Sequence, residues 1–121
     1  MKCLLHSRDL MFSSQVSSAA CTAKVDMETL AAADQLVARA GEMEGDYLVL
    51  VDLTFPSLDI VAIAGQLREV PNAPASVIAV GPHVHEEKLT AATVAGCDHV
   101  LTKGQASREL ASLFAELSSY G

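Results

Sequence analysis

Aromatic residues are scarce in this chain: three phenylalanines, two tyrosines and no tryptophan, 4% of 121 residues. With a hydrophobic fraction of 50%, the core has to be built from Ala, Val, Leu and Ile, a mixture that suits helices packed on a buried parallel sheet. Basic residues are scarce too, 8 against 15 acidic ones, for a formal net charge of −7 with no basic cluster. That balance repels phosphate backbones and excludes direct binding of nucleic acid. No apolar run approaches the ~20 residues that span a bilayer, and "MKCLLHSRDLMFSSQ" meets charge too early for a signal peptide, so a cytoplasmic, membrane-free location is expected. Cys3, Cys21 and Cys97 are odd in number and match no metal knuckle, and buried reduced thiols are expected. A nucleophile elbow of the G-x-S-x-G type is missing, with Ser13, Ser14, Ser17 and Ser18 inside a predicted helix. The segment "HSRDLMF" has no glycine to cradle the phosphates of FMN or NAD. No enzyme and no cofactor are expected. Low-complexity tracts, linkers and repeats do not stand out either, and the length fits one domain, 1–121. Met1 reads as a true start, and "SSYG" as either a natural end or a trimmed linker.

What is present is an alternation. "KCLLH" (2–6) is a short apolar run, followed by helical spacing in "DLMFSSQVSSAACTA", which Ser7 can cap with Asp9 in the first turn. "KVDME" (24–28) reads as a polar edge strand and "TLAAADQLVARAGE" as a helix stopped by Gly41. "YLVLVDL" (47–53) is the clearest buried strand, "LDIVAIAGQLREV" a helix closing before Pro71, and "ASVIAVG" (75–81) a second continuous apolar strand. "HEEKLTAATVAG" is a helix with a glycine stop at Gly96, "HVLTK" (99–103) a strand, and "ASRELASLFAELSS" a helix with Leu110, Leu113, Phe114 and Leu117 on one face. Five β-α units with short loops predict a doubly wound parallel sheet with helices on both faces. In such sheets ligands gather beyond the carboxyl ends of the strands. Asp52 ends a strand there, as do His6–Ser7–Arg8, Gly81–Pro82 and Lys103–Gly104.

Two segments carry a family resemblance. "LVLVDLTFPSLD" is similar to the strand–aspartate–x–x–x–Pro–x–x–Asp segment of receiver domains, the phospho-acceptor modules of bacterial two-component response regulators. "SVIAVGPHVHEEKLTAATVAGCDHVLTKG" resembles the same family's fourth strand, fourth helix and fifth strand ending in Leu-Thr-Lys. The resemblance runs over essentially the whole chain. It implies a flavodoxin-like five-stranded α/β fold of strand order 2-1-3-4-5. It also implies Asp52 as phospho-acceptor position, Lys103 as the lysine that bonds that carboxylate, and Thr54 and Pro56 in the acceptor loop.

The departures from the pattern define a degenerate, pseudo-receiver variant. The acidic pair that holds Mg2+ in the family reads Ser7 and Arg8. The hydroxyl switch residue ending the fourth strand is Gly81, the aromatic switch residue of the fifth strand is Val100, and the proline after the lysine, usually preceded by a cis bond, is Gly104. Arg8 is expected to place a fixed cation where the metal would sit; at ~4 Å and an effective dielectric near 20, two unit charges interact at about 4 kcal/mol. Arg8 and Lys103 are therefore expected to pair with Asp52 and fill the site. The expected function is a protein-interaction module in signal transduction without Mg2+-dependent phosphorylation. The alternative is a receiver phosphorylated on Asp52 by a histidine kinase, with Mg2+ as its cofactor; a small-ligand sensor using the strand-end crevice is a third. The implied partners are a kinase, an output domain or a regulator. A homodimer through the fourth helix, fifth strand and fifth helix is open, with Ala91, Ala92 and Ala95 allowing close packing. The remaining histidines read as structural: His83 and His85 in a solvated loop at one end of the sheet, apart from Cys97 and His99 at the other, and His6 as a packed or edge histidine.

Overall fold

The structure is a computed structural model that describes residues 1–55 and 57–118. Its order is β1 (Lys2–His6), α1 (Leu10–Thr22), β2 (Asp26–Leu30), α2 (Ala33–Glu42), β3 (Tyr47–Asp52), α3 (Ile60–Glu69), β4 (Ser76–Gly81), α4 (Glu86–Val94), β5 (His99–Thr102) and α5 (Lys103–Ser118). The five strands form one parallel sheet in the order β2-β1-β3-β4-β5.

The strands alternate between two cores although most of them carry no polar face. Leu4, Val49, Val51 and Ala79 face α2, α3 and α4, meeting Leu36, Ile63, Leu67 and Ala92. Cys3, Leu5, Leu48, Leu50, Ile78 and Val80 face α1 and α5, meeting Phe12, Val16, Leu110 and Phe114. Every residue of β3 is buried. With both faces covered, a continuous apolar run is the only pattern that leaves no polar group stranded. Edge strand β2 is polar and half-exposed, and Glu28 in it takes ion pairs from Lys2 at 2.9 Å and Arg39 at 3.0 Å.

Several boundaries differ from the sequence reading. Helix α1 begins at Leu10, and its cap is Asp9, whose carboxylate accepts from the Phe12 N–H at 3.1 Å; Ser7 is turned elsewhere. Strand β2 begins two residues later than expected because Lys24 takes a left-handed backbone, φ 60°. Helix α2 likewise begins at Ala33, not in the Thr-Leu that ends β2. Helix α5 begins at Lys103, three residues early. Thr102 and Gln105 form a reciprocal capping box, with Gln105 N–H donating to Thr102 Oγ1 at 3.1 Å and Thr102 N–H to Gln105 Oε1 at 2.9 Å. Lys103 therefore leaves the strand at the first position of a helix.

Cys3 is buried, and desolvation pushes its thiol up to about 12, whereas Cys21 is exposed, contrary to expectation; all three thiols are free. Ala92 and Ala95 are part of the core and offer nothing to a partner. Among the described residues, no helix is long and apolar enough to cross a membrane.

Candidate functional site

Asp52 is the last residue of β3, flanked by β1 and β4 in the middle of the sheet, so its side chain emerges at the carboxyl rim between the two crossing directions. Its alternation places it on the α1/α5 face, and it is 1% exposed. A carboxylate there needs partners, because burying an unpaired charge is costly. It has four. The Ser7 hydroxyl donates to Oδ2 at 2.8 Å. The Thr54 hydroxyl donates to Oδ1 at 2.6 Å, and the Thr54 N–H reaches the same oxygen at 3.0 Å, an Asx-type turn set by a spacing of two residues. The Lys103 ammonium stands 3.5 Å from Oδ1. Burial pushes the Asp52 carboxyl up. The Thr54 hydroxyl and N–H, the Ser7 hydroxyl and the Lys103 ammonium outweigh that and hold it below its ordinary value.

Ser7 is itself fixed. Its oxygen accepts from the Asp9 N–H at 3.1 Å while its hydroxyl is turned to Asp52. Asp9 serves twice: Oδ1 caps α1, and Oδ2 lies 4.0 Å from Lys103 Nζ. The Lys103 ammonium also sits over the Phe12 ring, 3.6 Å from its centroid. This nitrogen is buried between two carboxylates and an aromatic face without a well-directed hydrogen bond.

The site thus unites Ser7, Asp52, Thr54 and Lys103 and leaves Arg8 out. The expected Arg8–Asp52 ion pair is not formed. Past the end of β1, neighbouring residues point in opposite directions; Ser7 faces in, and Arg8 is exposed with its guanidinium 4.7 Å from the Phe55 ring centroid. The other face of that story is His6, which stacks on Phe55 with centroids 4.2 Å apart. Pro56 lies outside the described residues.

At the positions expected to act as switches, a Cβ added at Gly81 would meet Leu53 Cβ at 3.1 Å and Cδ1 at 3.3 Å, so a side chain there would require Leu53 to shift by a few tenths of an ångström. Val100 pairs with Ala79 and packs half-buried on the α2/α3/α4 core. Gly104 lies in the first turn of α5. His83 follows the carboxyl end of β4 and His99 opens β5, at opposite ends of the sheet. Asp9, Phe12 and Phe55 belong to the site and its rim but carried no such role in the sequence reading. No spacing signal marked them: Phe12 reaches the site through the Lys103 ammonium, and the Phe55 ring lies against His6 and Arg8 at the rim.

No family model and no curated protein matches the sequence. Solved structures do match. The receiver domain of the sensor histidine kinase PA1611 from Pseudomonas aeruginosa PAO1 superposes with a TM-score of 0.81 at 18% identity, covering 98% of this chain and 97% of that one. This chain has the receiver-domain fold. The receiver domain of the TMAO respiratory system response regulator TorR matches at 0.80 and 18%, with 98% and 97% covered. A streptococcal redox sensor evolved from two-component response regulators matches at 0.78 and 10%, with 98% of this chain and 51% of that one covered.

The PA1611 receiver domain is described with a magnesium ion in its active-site cleft. Magnesium asks for near-octahedral oxygen ligands, including one or two free carboxylates. In this receiver fold both Asp52 oxygens already accept hydrogen bonds, Asp9 caps a helix, and the Lys103 ammonium stands by both carboxylates. Among the described residues, no group of three or more His, Cys, Asp or Glu side chains is placed to hold a metal. The residues here do not fit a magnesium ion.

Proposed function

We propose that this chain is a degenerate receiver that works as a protein-interaction module in bacterial signal transduction, cytoplasmic and without an enzymatic activity of its own. In this reading Asp52 is the former phospho-acceptor position, and Lys103 the site lysine. Ser7 stands where a metal-binding acid would be, and Gly81 and Val100 are switch positions emptied of their function. One observation carries the reading: the Asp52 carboxylate is satisfied from within, by Ser7 on one oxygen and by Thr54 and Lys103 on the other. Phosphoryl transfer needs the developing charge neutralised, usually by Mg2+. A carboxylate closed in this way would have to break these contacts to attack a phosphodonor. A glycine at 81 would then offer no hydroxyl to register the result. The partner is a kinase, an output domain or another regulator. The exposed Val84 and Val94 near α4, with half-exposed β5 beside them, are the surface on which a partner or a second copy would rest.

The second reading is a receiver phosphorylated on Asp52 by a histidine kinase. It is favoured by the lowered carboxyl, which keeps the nucleophile ionised, and by the undirected Lys103 ammonium beside it. Incubation with acetyl phosphate and Mg2+, read by intact mass, separates the two. The degenerate receiver gains no phosphoryl group. A gain that Asp52→Asn abolishes establishes the second reading and overturns the first.

A further inference from the structure

Five large apolar side chains are exposed among the described residues, and four of them stand at one end of the molecule. Leu10 and Met11, 86% and 78% exposed, open α1; Val61 lies in the first turn of α3, and Val84 in the loop between β4 and α4. All three helices start at the carboxyl rim of the sheet, so these side chains form a collar around the end of β3. The fifth, Val94, is at the far end of α4. Apolar residues scattered singly over a surface need no explanation, whereas a group gathered on one face marks a contact.

The collar has two unlike halves. Strands β1 and β4 flank β3, and α1 covers one face of the sheet while α3 and α4 cover the other. Leu10 and Met11 therefore stand diagonally across the end of β3 from Val61 and Val84. Charge divides the same way. Beside Leu10 and Met11 is Arg8, exposed, stacked on Phe55 and without an ion pair among the described residues. Its neighbour Asp9 is engaged in capping α1 and lies by Lys103. Beside Val84 are Glu86 and Glu87, exposed and likewise unpaired, which outweigh the single charge of Lys88. Two complementary halves placed diagonally about one point are exchanged by a two-fold axis lying across the rim, so two copies set rim to rim lay each half on its opposite, twice. We propose that this rim is a docking surface for a second copy of the chain, with Arg8 of each copy against Glu86 and Glu87 of the other and Leu10 and Met11 against Val61 and Val84. A net charge of −7 opposes association of two copies in general, which is why the contact falls where opposite charges can be brought together. The inference rests on the reading of the chain as an interaction module and names one partner for it. It covers the Asp52 site and leaves β5 and Val94 open to another.

Sedimentation equilibrium of the full chain, at low ionic strength and rising concentration, tests it. The parent is expected to reach a dimer and no higher species, and to dissociate as salt is added. Met11→Glu and Arg8→Glu are each expected to weaken the dimer about tenfold or more, since each sets like charges against one another. Arg8→Glu combined with Glu86→Arg and Glu87→Arg is expected to restore it, because one chain carries both halves. Val94→Glu is expected to change nothing. The substituted side chains are all exposed, and circular dichroism checks that each variant keeps its fold. The inference is overturned if the parent stays monomeric up to its solubility limit, if the triple reversal does not restore what Arg8→Glu removes, or if Val94→Glu abolishes the dimer while Met11→Glu leaves it. The intact-mass experiment with acetyl phosphate reports on Asp52 alone, so a failure of the degenerate reading and a failure of the dimer are seen separately.

Discussion

Asp52 and His6 close two neighbouring strands, β3 and β1, at the same rim of the sheet, and both are buried polar residues. The sheet separates them: Asp52 faces α1 and α5, His6 faces α2 and α3. On the first face the fold supplies three hydrogen bonds and an ammonium to one carboxylate. On the second it supplies one hydrogen bond to an imidazole and leaves the other nitrogen bare. The same backbone rim therefore holds a carboxylate with both oxygens hydrogen-bonded and an imidazole with one nitrogen bare. Charge accounts for the difference. An unpaired carboxylate in the interior is intolerable, whereas one imidazole nitrogen without a partner costs roughly 1–3 kcal/mol.

Substitutions test that contrast at decreasing strength. Asp52→Ala strands the Ser7 and Thr54 hydroxyls, leaves the Lys103 ammonium with only Asp9 and the Phe12 ring, and is expected to lower stability by about 2–4 kcal/mol at neutral pH, measured by urea denaturation. Because the Asp52 carboxyl is held below its ordinary value, its stabilisation is present above the unfolded value of ~3.9 and is lost as pH falls from there through the folded value. The gap between Asp52→Ala and the parent should therefore narrow below about pH 4; a gap that stays constant would show that the carboxylate's charge contributes nothing. His6→Phe is expected to change stability by less than ~1 kcal/mol, since the lost Leu30 bond is offset by removal of the idle nitrogen. A loss as large as that of Asp52→Ala would erase the contrast. Arg8→Ala is expected to cost only about 0.5 kcal/mol, the worth of an exposed cation–π contact with Phe55, and to leave the acid limb of stability unchanged. A changed limb would put Arg8 back beside Asp52.

Much of the architecture was legible because a doubly covered parallel sheet writes itself as apolar runs: "YLVLV" and "SVIAV" could hardly be anything but central strands. The element ends were less legible. The Thr102–Gln105 box was visible as T-x-x-Q but is outweighed by the strand-like "HVLTK" before it, and the left-handed Lys24 has no residue-type signature. At the site, the expected Lys103–Asp52 approach is present because both residues sit at strand ends on one rim, whereas Ser7 and Thr54, placed by the sequence only at a strand end and in the following loop, turn out to hydrogen-bond the carboxylate. Arg8 was misplaced because adjacent loop residues face opposite ways, and the spacing does not say which faces in. Asp9, Phe12 and the His6–Phe55 stack depend on contacts between elements far apart in sequence, which periodicity does not encode.

Leu53 and Gly81 lie in close contact. A Cβ at 81 would meet Leu53 Cβ at 3.1 Å and Cδ1 at 3.3 Å, so any larger residue there asks Leu53 to give way by a few tenths of an ångström. The two positions are therefore coupled, and a smaller side chain at 53 would relieve the crowding that a substitution at 81 creates.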